Sequence, residues 1–150
     1  MQIKEISPVI LSLVAKINES MEIYEHASNR FTEEYNEQRL HQLSKSKRLH
    51  IKEIANIFEV DKQKLIEAVQ KMNDVEVEKE KLNFNNLVDI DDEESLWKYF
   101  IEKERSLIQQ YNKILAEQKY DEFQQAIMQN HVAECKREKN ELQKHAEIAR

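Results

Sequence analysis

Apolar residues recur along most of this chain at alternating steps of three and four, which is the pattern of helices that bury one stripe. The clearest row runs through Trp97, Ile101, Glu104, Ile108, Tyr111 and Leu115. It predicts a helix that begins at the capping sequence Asp91-Asp92-Glu93-Glu94 and ends near Lys119. Upstream, Ser7 and Pro8 form a helix start, with a hydroxyl for the cap and a proline where a missing N–H does no harm. Ile10, Val14, Ile17, Met21, Tyr24, Ser28 and Phe31 continue that first helix to about Asn29 or Phe31. The polar stretch TEEYNEQ holds the next turn. Leu40, Leu43, Lys47, His50, Ile54 and Ile57 then mark a second helix over roughly 37–59, with Leu49, Ile51 and Phe58 on its flank.

Between Val60 and Ile90 the pattern weakens. Asp61 is placed to cap a short helix with Leu65, Ile66, Val69 and Met72 as its apolar edge. Beyond it Val75 and Val77 alternate with glutamates, which suits a strand, but a lone strand would have no partner. The reading is therefore an irregular crossover that presents Leu82, Phe84 and Leu87 to the core. Asp121 caps the last helix, whose stripe is Met128, Val132, Cys135, Lys139, Leu142, Ala146 and Ala149, with Phe123 and Ile127 on a neighbouring face. Its charged final turns are expected to fray or to pack in a dimer.

Composition narrows the class. The 150 residues include no glycine and one proline, Pro8, so hairpins needing positive φ lack their usual residue. Hydrophobic residues are 40% and charged residues 35%, a balance for helices with one buried face rather than for a disordered chain. The expectation is an all-α four-helix bundle forming a single domain over residues 1–150, with the long crossover between helices two and three. A net charge of −6 with interspersed signs argues against general nucleic-acid binding, leaving only a local basic patch at Lys45, Lys47 and Arg48. No secretory leader or membrane span is legible, so the cytoplasm is the expected location. Cys135 is the only cysteine and reads as a small apolar core residue.

Glu104 is the one residue of the Trp97–Leu115 row that does not belong in an apolar core. Its carboxylate needs a hydrogen-bond partner, a proton, a counter-charge, a metal, or less burial than the pattern implies. The plainest reading pairs it with a tyrosine or with His50. His50 itself reads as a satisfied core histidine, and Tyr24 and Tyr111 as core aromatics whose hydroxyls reach a partner. His26, His41 and His145 show no spacing that suggests chemistry. No nucleophile with its base is visible, and without glycine there is no phosphate-cradling loop.

Helices one and three echo each other. Tyr24 and Tyr111 each follow an apolar residue at minus three, Met21 and Ile108, while minus seven holds Ile17 in one and Glu104 in the other. With SKRLHIKEI from Ser46 and EKERSLIQQYNKIL from Glu102, this layout resembles the ferritin-like superfamily, and more narrowly a bacterial branch of it whose members are mostly of unknown function. The resemblance covers most of the chain apart from the crossover. In that superfamily helices one and three carry a glutamate seven residues before a tyrosine, and helices two and four carry Glu-x-x-His. It implies a four-helix bundle around two iron or manganese ions, and a link to stress adaptation.

The departures remove most of that metal box. Ile17 or Asn18 stands where a glutamate is expected, Ser46-x-x-Leu49 replaces Glu-x-x-His with His50 one place away and Glu53 a turn later, and His131 and Glu134 occur in reversed order. The leading expectation is a non-catalytic ferritin-like bundle without a cofactor, acting by self-association as a homodimer or by binding a protein partner. Ile51 and Phe58, outside the main stripe, would then be covered by the crossover or a second chain. The alternative is an oxidase or storage protein holding iron, manganese or zinc at an altered site made from Glu104, His50, His131 and Glu134. A further alternative is a helical adaptor that docks through the end of helix four.

Overall fold

The computed structural model describes residues 6–30, 34–90 and 93–148, and every regular element among them is an α-helix. These are α1 (Pro8–Ser28), α2 (Glu34–Ile57), α3 (Lys62–Ile90), α4 (Glu93–Ala116) and α5 (Glu122–Ile148). The chain forms two compact units that meet within α3, the first ending at Lys81 and the second starting at Leu82. No described helix is long and apolar enough to cross a membrane. The starts at Asp91 and Asp92, and the stripe residues Phe31 and Ala149, lie outside the described residues.

In the first unit α1 begins as the Ser-Pro signal requires, with the Ser7 hydroxyl accepting from the Ile10 amide at 3.2 Å. Ile10, Val14, Ile17, Met21, Tyr24 and Ser28 are all buried, as is Leu13 beside them. The two helices run antiparallel, since Met21 and Glu25 of α1 meet Ser44 and His41 of α2 in reverse order. Ser44 Oγ donates to the Met21 carbonyl at 3.0 Å. The whole α2 stripe from Leu40 to Ile57 is buried, Lys47 and His50 included at 0% exposure. Lys47 is thus removed from the expected basic patch, which keeps only Lys45 and Arg48 at the surface. Of the flanking residues Ile51 is buried, Phe58 half-buried and Leu49 exposed.

A glycine-free chain must end its helices with other residues. Glu59 adopts φ 55°, and Val60 N–H then reaches back to the Ala55 carbonyl at 2.9 Å. That is the six-to-one bond of a Schellman cap, with Val60 buried as its apolar contact. Gln118, just past α4, also takes a positive φ of 54°, and its N–H reaches the Leu115 carbonyl at 3.3 Å.

The crossover differs from expectation. Asp61 caps α3 by accepting from the Lys64 amide at 2.9 Å, but the helix does not stop after Met72. It continues to Ile90, interrupted only by non-helical Asn73. Glutamate and lysine are good helix formers, and two valines cost only tenths of a kcal/mol each. Helical phase also sorts the apolar residues, because Val77 and Phe84, seven apart, are buried while Val75 and Leu82 are exposed. The alternation that suggested extended chain is therefore a heptad pair with two exposed neighbours.

The second unit is built on the α4–α5 hairpin. Asp121 and Gln124 cap α5 reciprocally: Asp121 Oδ1 accepts from the Gln124 amide at 2.7 Å, and Gln124 Oε1 from the Asp121 amide at 3.1 Å. Phe84, from the end of α3, packs on Phe100 with ring centroids 5.7 Å apart. Two stripe positions shift by one residue. Ile114 is buried where Leu115 was expected, and Glu138 is buried where Lys139 was expected. The last turns of α5 are packed rather than free, with Leu142 at 0% and Ala146 at 6% exposure.

Candidate metal centre in the second unit

Three rungs cross the α4–α5 hairpin. As α4 advances by sevens from Trp97 to Glu104 to Tyr111, α5 retreats by sevens from His145 to Glu138 to His131. A seven-residue step is two helical turns, so all six residues stay on the facing surfaces of the two helices. The outer rungs are chemically complementary. Trp97 stacks on His145 with ring centroids 4.9 Å apart and planes at 23°, while its indole N–H donates to Glu93 at 3.2 Å. Tyr111 and His131 meet edge to face, with the hydroxyl 2.8 Å from His131 Nδ1.

The middle rung sets one carboxylate against another. Glu104 is 0% exposed and Glu138 6% exposed. Cys135, one turn before Glu138 on the same face of α5, is also at 0%. One ligand atom from each of the three lies within 4.8 Å of the others. At an effective dielectric of ~20, two unit charges at that separation repel by roughly 3.5 kcal/mol. Such a rung is stable when a proton, a basic group or a cation offsets the charge.

The sequence candidates are distributed differently from the set expected. Glu104 is in the cluster. His131 is buried with its Nδ1 engaged by Tyr111, and Glu134 is half-buried, because it is turned about 100° around the helix from Cys135. His50 belongs to the first unit, fully buried one turn after Lys47 on α2. Cys135 and Glu138 were missed. Cys135 is a core residue, as its place on the stripe implies, and Glu138 is the residue that turns inward in place of its neighbour Lys139. The readable signal was a thiol and a carboxylate three residues apart on a helix, together with a buried glutamate on the helix before it.

A cage for two ions in a bundle of this kind needs about four carboxylates and two histidines. The second unit offers two carboxylates and a thiol at its centre, and its buried histidine is held by a tyrosine. These residues do not fit half of a di-iron or di-manganese cage. They do fit a single ion with a preference for sulfur, since thiolate favours zinc-like ions over magnesium, calcium or manganese. Compared with models of known protein families, with curated proteins and with solved structures, the chain matches none of them.

Proposed function

We propose that this protein binds one thiophilic divalent cation, zinc by preference, between α4 and α5 through Glu104, Cys135 and Glu138. The convergence of three buried donor atoms within 4.8 Å carries the reading. Three protein donors leave one tetrahedral position, which in a catalytic centre takes water or substrate. Here all three residues are at most 6% exposed, so the function is retention of the ion and locking of the hairpin rather than turnover. Two helical hairpins joined by a long connecting helix are also the parts of a ferritin-like bundle, and the proposed site is a one-ion successor to that superfamily's cage. Protein purified without a chelating tag should carry about one equivalent of zinc by elemental analysis, with Glu104→Gln and Cys135→Ser each reducing it several-fold. Metal-free protein that takes up no zinc on dialysis would refute the reading.

Self-association is a second reading, supported by a separate observation. On α3 of the first unit Met72 and Val75 are 54% and 74% exposed, an apolar pair suited to another copy of the chain or a protein partner. Light scattering of wild type and of a Met72→Lys, Val75→Lys variant tests it: a dimer mass in the first and a monomer mass in the second is expected.

A further inference from the structure

The solvent face of α2 carries charge of one sign. In a chain of net charge −6, no fully exposed α2 position between residues 38 and 56 is acidic. Lys45, Arg48 and Lys52 follow one another there at steps of three and four, which lines them along one side of the helix over about 10 Å. None of the three forms an ion pair among the described residues. Leu49, on the same face, is 51% exposed. It borders a cleft of about 410 Å³ lined by the apolar residues Leu49, Ala55 and Val60 and by the charged residues Lys52, Glu53 and Lys62. An exposed leucine at an apolar cleft, with a row of cations beside it, is complementary to an aliphatic side chain flanked by carboxylates.

The same unit presents such a side chain on α3. Val75 is 74% exposed, and within residues 74–79 the exposed charges are Asp74, Glu76 and Glu78 against Lys79. Glu76 is the next residue after Val75, and Glu78 lies one turn beyond it. Three cations within two helical turns are few for a phosphate backbone, and the acidic chain around them opposes one. A single exposed leucine is likewise little apolar area for a lipid surface. The complement that the α2 face requires is carried by the chain itself.

We propose that a second copy docks segment 74–79 of its α3 on this α2 face, with Val75 in the cleft of Leu49, Ala55 and Val60, and with Glu76 and Glu78 toward Arg48 and Lys52. The pairing rests on the self-association reading and names the surface that receives Val75. Formed reciprocally, the contact occurs twice and closes a two-fold dimer. Two charge-reversed variants test it, Arg48→Glu with Lys52→Glu, and Glu76→Lys with Glu78→Lys. All four positions are exposed, so both variants should fold, as circular dichroism will report. Light scattering over a concentration series should give a dimer for wild type and, for each variant alone, a dimer Kd weaker by about tenfold or more, because like charges then face each other in both contacts. An equimolar mixture of the two variants should dimerise again, since each reversed face meets an opposite one, and this rescue is an outcome that misfolding cannot produce. A mixture no more associated than its components, or a wild-type dimer that neither variant weakens, overturns the pairing and leaves self-association to another surface. A wild-type monomer at every concentration overturns both, and leaves the α2 face to an acidic protein of another kind.

Discussion

Glu104→Gln keeps the shape of the side chain and removes one of the two charges that face each other across the middle rung. Glu104 and Glu138 present ligand atoms within 4.8 Å, a separation at which full charges repel by roughly 3.5 kcal/mol at an effective dielectric of ~20. Protonation or a nearby basic group relieves part of that in the metal-free protein, so the substitution should raise metal-free stability by about 1–3 kcal/mol. For a chain of this size each kcal/mol moves the melting temperature by roughly 2–4 °C, so the expected gain is about 2–12 °C. Zinc acts in the opposite sense on the comparison. At a hundredfold excess over Kd it stabilises wild type by about 2.7 kcal/mol, or roughly 5–11 °C, and the variant by little. Helical melts followed by circular dichroism, in chelator and in zinc, therefore distinguish the proteins twice: the variant leads in chelator, and only wild type responds to metal. A variant that melts lower in chelator, with zinc moving neither protein, would show that Glu104 serves as a hydrogen-bonded or ion-paired structural residue and refute the reasoning.

Further expectations concern the caps and the outer rungs. Glu59→Gly relieves a left-handed residue after α2 and should stabilise by about 0.5–1 kcal/mol in urea denaturation, whereas Glu59→Ala should not. Tyr111→Phe removes the hydroxyl that meets His131 at 2.8 Å and should cost about 1–3 kcal/mol by the same assay, because the imidazole stays buried. Truncation after Leu142 deletes His145, which stacks on Trp97, and buried Ala146. It should lower the melting temperature by several degrees, at roughly 2–4 °C per kcal/mol, whereas an end serving only as a docking arm for an adaptor would melt as wild type does.

How much was readable in advance depended on which physics set each feature. Periodicity located α1, α2, α4 and α5 to within a few residues, because each buries a stripe and each stripe is long. The caps at Ser7, Asp61 and Asp121 were legible for the same local reason. The helix from Asp74 to Ile90 was not, because its buried residues Val77 and Phe84 sit seven apart and exposed Val75, two places before Val77, imitates an extended pattern. Glu104 stood out as a charge among apolar neighbours. Glu138 did not, since α5 carries charges at 136, 137, 138, 139 and 141, and only the packing against α4 decides which of them turns inward. The metal grouping joins two helices, so a single-helix spacing motif contained only Cys135 and Glu138, two of its three residues. Asn73, at the break in α3, donates its side-chain amide to the Ala15 carbonyl, a backbone atom 58 residues away, and no local pattern announces it.

Cobalt(II) titration tests the central claim most directly, because thiolate bound to cobalt gives a near-ultraviolet charge-transfer band that oxygen ligands do not. Wild-type protein should develop that band up to one equivalent and lose it when zinc is added, and Cys135→Ser should show none. Absence of the band from wild type at cobalt concentrations well above one equivalent would contradict a metal centre at Glu104, Cys135 and Glu138.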